Sequence, residues 1–65
     1  MNTFGKNLKA VRERCGLTRQ ELAEAAGVNS TSVYRYETGR REPRFQEALR
    51  LAEALNTTLE ELAKT

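Results

Sequence analysis

In Gly16-Leu17-Thr18, and again in Gly27-Val28-Asn29, a residue type that ends helices stands two positions before one that starts them. A chain punctuated this closely can form only short helices joined by tight turns, and helices of about nine residues persist only when packed on one another. Thr18-Arg19-Gln20-Glu21 fits a capping box, and Leu17 and Leu22 are spaced as the hydrophobic staple that accompanies one. Asn29 is a favoured N-cap, with Val28 and Val33 in the same staple positions, so a helix is expected from Ser30 to about Thr38, stopped by Gly39. Before this pair, Phe4, Leu8, Val11 and Cys15 share one face of a helix that Gly16 ends. After it, Arg40-Arg41-Glu42-Pro43 reads as a loop, and Phe45, Ala48, Leu49, Ala52 and Leu55 as the buried face of a fourth helix. Thr58-Leu59-Glu60-Glu61 reads as a second capping box, opening a fifth helix with Leu59 and Leu62. No stretch alternates like a strand and no internal repeat is visible. The expectation is an all-α, five-helix fold.

A chain of 65 residues has room for one domain, expected over 1–65, and a domain this small buries only about 60% of the surface its unfolded form exposes. Its 38% hydrophobic content is ordinary for a globular fold. Apolar runs such as Ala25-Ala26 are far shorter than the roughly 20 residues that cross a bilayer, and Met1 to Lys6 lacks the basic and apolar regions of a secretory signal. The sequence therefore reads as cytoplasmic, with no membrane partner. Cys15 is the one cysteine and His is absent, so neither an internal disulfide nor a Cys/His metal site is expected, and Cys15 reads as a small core hydrophobe. Without His or Asp, Ser-His-Asp, Cys-His and carboxylate-His metal chemistry are all unavailable. The composition argues against an enzyme and implies no cofactor or metal. The net charge of +2 is unevenly spread: residues 9–44 carry eight basic side chains against five acidic ones, residues 45–65 two against four. The first part could face phosphates and the second could not.

Two short helices joined by a Gly-containing turn, the second with a polar outer face, form the pattern of a DNA-binding helix-turn-helix, here over about 18–38. Positions 30, 31, 34, 35 and 38 share one face of that second helix, while 33 and 36 point oppositely, into the core. The resemblance is then specific. Gly16 to Ala23, Ala26-Gly27-Val28, Val33 to Pro43 and Leu51 to Asn56 resemble the Cro/C1-type, or xenobiotic-response-element, helix-turn-helix family, and the likeness runs from about Phe4 to Leu62.

That resemblance implies a five-helix, lambda-repressor-like DNA-binding domain whose third helix lies in the major groove of double-stranded DNA. It also implies homodimers on near-palindromic operators. By it, Ser30, Thr31 and Arg35 sit where base-reading residues sit, with Tyr34 and Thr38 at the edge of the face. Ser30 and Thr31 are equally good helix-capping types. Tyr34 either meets a sugar or a thymine methyl or packs against the second helix. The planar fork of Arg35 matches guanine O6 and N7. Candidate phosphate contacts are Arg19, Gln20, Thr38, Arg40, Arg41 and Arg44, and Arg12 and Glu37 match positions that form a buried ion pair in relatives. The family usually has Gln where Arg19 stands and often Ser where Arg44 stands, which weakens the expected cap of the fourth helix. Repression needs only occlusion of a promoter; activation would need a surface for RNA polymerase, for which Glu21 and Glu24 are candidates. Alternatives of a different class are an antitoxin or protein-binding adaptor on the same fold, or the N-terminal domain of a longer regulator. Any dimer contact is expected from the fifth helix or the loop before it.

Overall fold

The computed structural model describes residues 3–64. Met1, Asn2 and Thr65, which complete the expected domain and the segment read for a secretory signal, lie outside the described residues. The chain forms α1 (Thr3–Arg14), α2 (Arg19–Ala26), α3 (Ser30–Glu37), α4 (Phe45–Ala54) and α5 (Leu59–Ala63), with no strand among the described residues. No helix among them is long and apolar enough to cross a membrane.

One device ends the first four helices. Leu17 N–H donates to Arg12 O at 3.1 Å while Gly16 N–H donates to Glu13 O at 3.0 Å, a pair of bonds that satisfies the last carbonyls of a helix when the residue between them is left-handed. The pattern recurs at Val28 and Gly27, at Arg40 and Gly39, and at Thr57 and Asn56. Asn56, at φ 56°, takes the role that Gly holds elsewhere, and Asn is the side chain that tolerates this region best. Thr18 closes both halves of its box, its Oγ1 accepting from Glu21 N–H at 3.0 Å and Glu21 Oε1 accepting from Thr18 N–H at 2.8 Å. At α5 only the hydroxyl half forms, from Glu61 N–H to Thr58 Oγ1 at 3.1 Å. At α4 only the carboxylate half forms, Glu47 Oε1 accepting from Arg44 N–H at 3.0 Å, because an arginine side chain has no acceptor to offer.

Leu8, Leu22, Val33, Tyr36, Leu51 and Leu62 are fully buried, at least one from each helix, and Phe4, Leu17, Val28, Ala54 and Leu59 pack around them. Both staple pairs thus reach the core. α1 packs on α3 and α5, and α2 on α3 and α4, so the two helices of the central unit are braced from both sides. Asn7 Nδ2 donates to Leu62 O at 2.8 Å and to Lys64 O at 2.6 Å, satisfying carbonyls at the end of α5 that the chain itself leaves open.

Two expectations are corrected. α4 buries Ala48, Leu51, Ala52 and Leu55, whereas Phe45 is 70% and Leu49 38% exposed. Positions 45, 48, 49 and 52 and positions 48, 51, 52 and 55 are both valid helical stripes sharing the two alanines, and periodicity cannot choose between them. The fold turns Leu51 and Leu55 inward. Cys15 is exposed, because α1 stops at Arg14 and the chain turns before the extrapolated face reaches it; its thiol lies 3.9 Å from Leu55 O.

Candidate nucleic-acid interface

The turn between α2 and α3 sets the geometry of the exposed face. Gly27 at φ 71° reverses the chain, Val28 enters the core, and Asn29 Oδ1 accepts from Thr31 N–H at 2.7 Å. This holds the first turn of α3 open to solvent on the side of Ser30 and Thr31. Val33, at 0% exposure, and Tyr36, at 1%, then fix the helix rotation, so that Ser30, Thr31, Tyr34, Arg35 and Thr38 are all exposed together. No carboxylate among the described residues engages the Arg35 guanidinium, while its carbonyl accepts from Arg40 N–H at 2.9 Å and Arg41 N–H at 3.3 Å. The Thr38 hydroxyl donates back to Tyr34 O at 2.8 Å, so its proton is already spent.

Polar or basic side chains stand at both ends of this face. Gln20 is exposed in the first turn of α2, where unpaired backbone N–H groups favour an anion. Arg40, Arg41 and Arg44 are exposed along the loop from α3 to α4, with the Arg41 guanidinium 5.8 Å from the centroid of the Tyr36 ring. The Tyr36 hydroxyl donates to Glu47 Oε1 at 3.0 Å, which ties α3 to α4 across this loop. Burial first, then the Glu47 hydrogen bond, raises the Tyr36 pKa above its usual 10.0. The Arg44 N–H, then Tyr36, lowers that of Glu47 below its usual 4.5.

Behind the face lies a charge cluster. Arg12 Nε donates to Glu37 Oε2 at 2.6 Å and Arg12 Nη1 to Leu17 O at 2.7 Å. Arg19 Nε donates to Glu37 Oε1 at 3.0 Å, and its guanidinium lies 5.1 Å from the centroid of Tyr34. The family resemblance implies the pair of Arg12 with Glu37, whereas Arg19 is expected at phosphate alone. The structure spends one Arg19 donor, Nε, on Glu37, with the side chain as a whole part-exposed. No spacing rule joins positions eighteen residues apart, so this link carried no sequence signal. The same is true of Tyr36 with Glu47.

Short capped helices, a two-helix unit braced from both sides and a polar face rotated outward by a buried valine and tyrosine together define a lambda-repressor-like helix-turn-helix domain. The family model for the helix-turn-helix domain matches residues 3–64, and the chain belongs to that family. The transcriptional repressor RghR of Bacillus subtilis is 40% identical over 63 residues, 95% of this chain and 47% of RghR. The restriction-modification controller protein C.AhdI from Aeromonas hydrophila superposes with a TM-score of 0.91 at 33% identity, covering 94% of this chain and 92% of that one. The P22 c2 repressor, solved in complex with a synthetic operator, superposes with a TM-score of 0.91 at 23% identity, over 98% of this chain and 97% of that one, a likeness of fold. The chain spans between 17% and 53% of the length of the curated relatives it matches.

Proposed function

We propose that this domain binds double-stranded DNA sequence-specifically, laying α3 in the major groove, and that it acts as a homodimeric transcriptional repressor on a near-palindromic operator. The observation that carries this reading is the exposed face of α3, where Arg35 presents an unengaged guanidinium beside Ser30, Thr31 and Tyr34 while Val33 and Tyr36 lock the helix rotation. A preset rotation is what direct readout requires, since a bidentate arginine discriminates guanine only when its fork is aimed. Gln20, Arg40, Arg41 and Arg44 supply phosphate contacts that set register. Thr38 joins this set with its hydroxyl proton already in use inside the protein, while Arg19, whose Nε is held by Glu37, is not counted in it. Repression, which needs only occlusion of a promoter, is the simpler mechanism. The name of RghR, a repressor, points the same way. The activity is binding rather than catalysis, and its place is where chromosomal or phage DNA lies, in the cytoplasm.

The test compares two arginines. Arg35→Ala should cost about 1 to 3 kcal/mol on the preferred duplex and much less on a duplex altered at the guanine it reads. Arg40→Ala, whose side chain is exposed, should weaken all duplexes alike and lower the magnitude of the salt slope by about one. Equilibrium titrations at several salt concentrations measure both. Loss of binding to every duplex by the same factor in Arg35→Ala would make it a phosphate anchor, and no salt-dependent binding in the parent protein would turn the reading toward an adaptor.

A further inference from the structure

We propose that Arg19 is a positioning residue, held by Glu37, that fixes Tyr34 on the exposed face of α3 and so sets discrimination at the base pair Tyr34 meets. This rests on the DNA-binding reading above. The arrangement is a relay from the core to the surface. The Glu37 side chain is 1% exposed, and both its oxygens are occupied: Oε2 by Arg12 Nε at 2.6 Å, Oε1 by Arg12 Nη2 at 3.3 Å and by Arg19 Nε at 3.0 Å. Arg12 is itself tied to the turn before α2 through Leu17 O. A carboxylate anchored from α1 therefore fixes where the Arg19 guanidinium can lie, and that guanidinium is 5.1 Å from the Tyr34 ring centroid.

Tyr34 is 41% exposed, and an aromatic side chain on the open face of a helix is free to change rotamer unless something covers one side of its ring. Arg19 does so with a planar cation whose Nε is pinned to Glu37, which a flexible ammonium reproduces only in part and a neutral amide not at all. Immobilising the ring in the free protein removes an ordering cost from the complex. Without that contact the ring is ordered only on the duplex whose base pair it fits, so the cost avoided falls on that site and appears as discrimination there. Arg19 thus joins the first residue of α2 to the middle of α3, so the two helices of the unit share control of the reading face.

The test has one arm without DNA and one with it. In the free protein, proton NMR should show the Arg19 side-chain resonances shifted upfield by the Tyr34 ring current, with the shift abolished in Tyr34→Leu, which leaves Glu37 and its partners untouched. On duplexes, the base pair that Tyr34 meets is identified as the one at which Tyr34→Leu loses discrimination. Arg19→Gln should lower discrimination there by roughly two- to fivefold, the reach of an exposed cation–π contact, with the salt slope unchanged. It should have no further effect in a Tyr34→Leu background, and Arg19→Lys should recover part of the loss. Circular dichroism confirms that each variant retains its helix. A uniform loss on all duplexes with the salt slope reduced by about one would overturn the proposal and make Arg19 a phosphate anchor. Unshifted Arg19 resonances in the parent would overturn it independently of DNA. Absence of any sequence preference in the parent would overturn the DNA reading as well.

Discussion

Glu47 does two things with one oxygen, accepting from Arg44 N–H and from the Tyr36 hydroxyl, both at 3.0 Å. Both bonds favour the carboxylate, so its pKa is lowered from 4.5 in the fold. A depressed folded pKa means that Glu47 contributes its full stabilisation above about pH 4.5 and loses it as pH falls through the folded value. Tyr36 is the reverse: its raised pKa makes its contribution complete below pH 10.0 and lost as pH rises past that point. Glu47→Gln should therefore melt lower than the parent at neutral pH and converge with it as pH falls from 4.5 through the folded value, as thermal unfolding followed by circular dichroism would record. A constant difference across that range would mean that the carboxylate charge is not what ties the loop down. None of this is legible in the sequence, where the family resemblance points to a cap at position 44 itself and not to an acceptor three residues on. Arg12 with Glu37 was legible only through family resemblance, since the acid and the base lie 25 residues apart.

At the scale of elements, what the residues announce is where helices start and stop. Thr18 and Asn29 cap, Gly16, Gly27 and Gly39 terminate, and the structure uses each of them so. These signals are local, because a cap needs only its own backbone and the next turn. The rotation of α4 is not local, because two stripes were available and the choice depends on what α2 and α5 present to it. The consequence is a sharp contrast between neighbours. Leu51→Ala removes a fully buried side chain and should cost about 2 to 5 kcal/mol, much of the stability of a domain this size. Val33→Ala, also at 0% exposure, should destabilise clearly and take binding with it through loss of helix rotation. Leu49→Ala, by contrast, should stay within about 1 kcal/mol of the parent, since its side chain already meets solvent. Denaturant unfolding of the three variants checks this. A Leu49→Ala as damaging as Leu51→Ala would mean that α4 is rotated the other way.

For the whole molecule, size and surface together bear on how two copies could share an operator. The Cα trace measures 26 × 22 × 20 Å, while dimeric helix-turn-helix proteins set their reading helices about 34 to 36 Å apart, one helical turn of DNA. Copies of this width placed at that separation meet at their margins, so the contact between them is small. α5 has little apolar surface to add, as Leu62 is fully buried and Leu59 packs against the core. The large apolar side chains exposed among the described residues are Tyr34, on α3, and Phe45 and Leu49, on α4. Association in solution should therefore be weak, and the DNA should do most of the pairing by holding two copies at high effective concentration. Sedimentation should find the free chain monomeric at micromolar concentration and two chains on a duplex with both half-sites. Inserting about 5 bp, half a helical turn, between the half-sites should abolish cooperativity by turning the second copy to the opposite face, while each half-site alone still binds one chain weakly. A selected site with a single unrepeated element and a one-to-one complex would show that one copy reads its target unaided, and α3 with its flanking arginines would then have to supply the whole affinity.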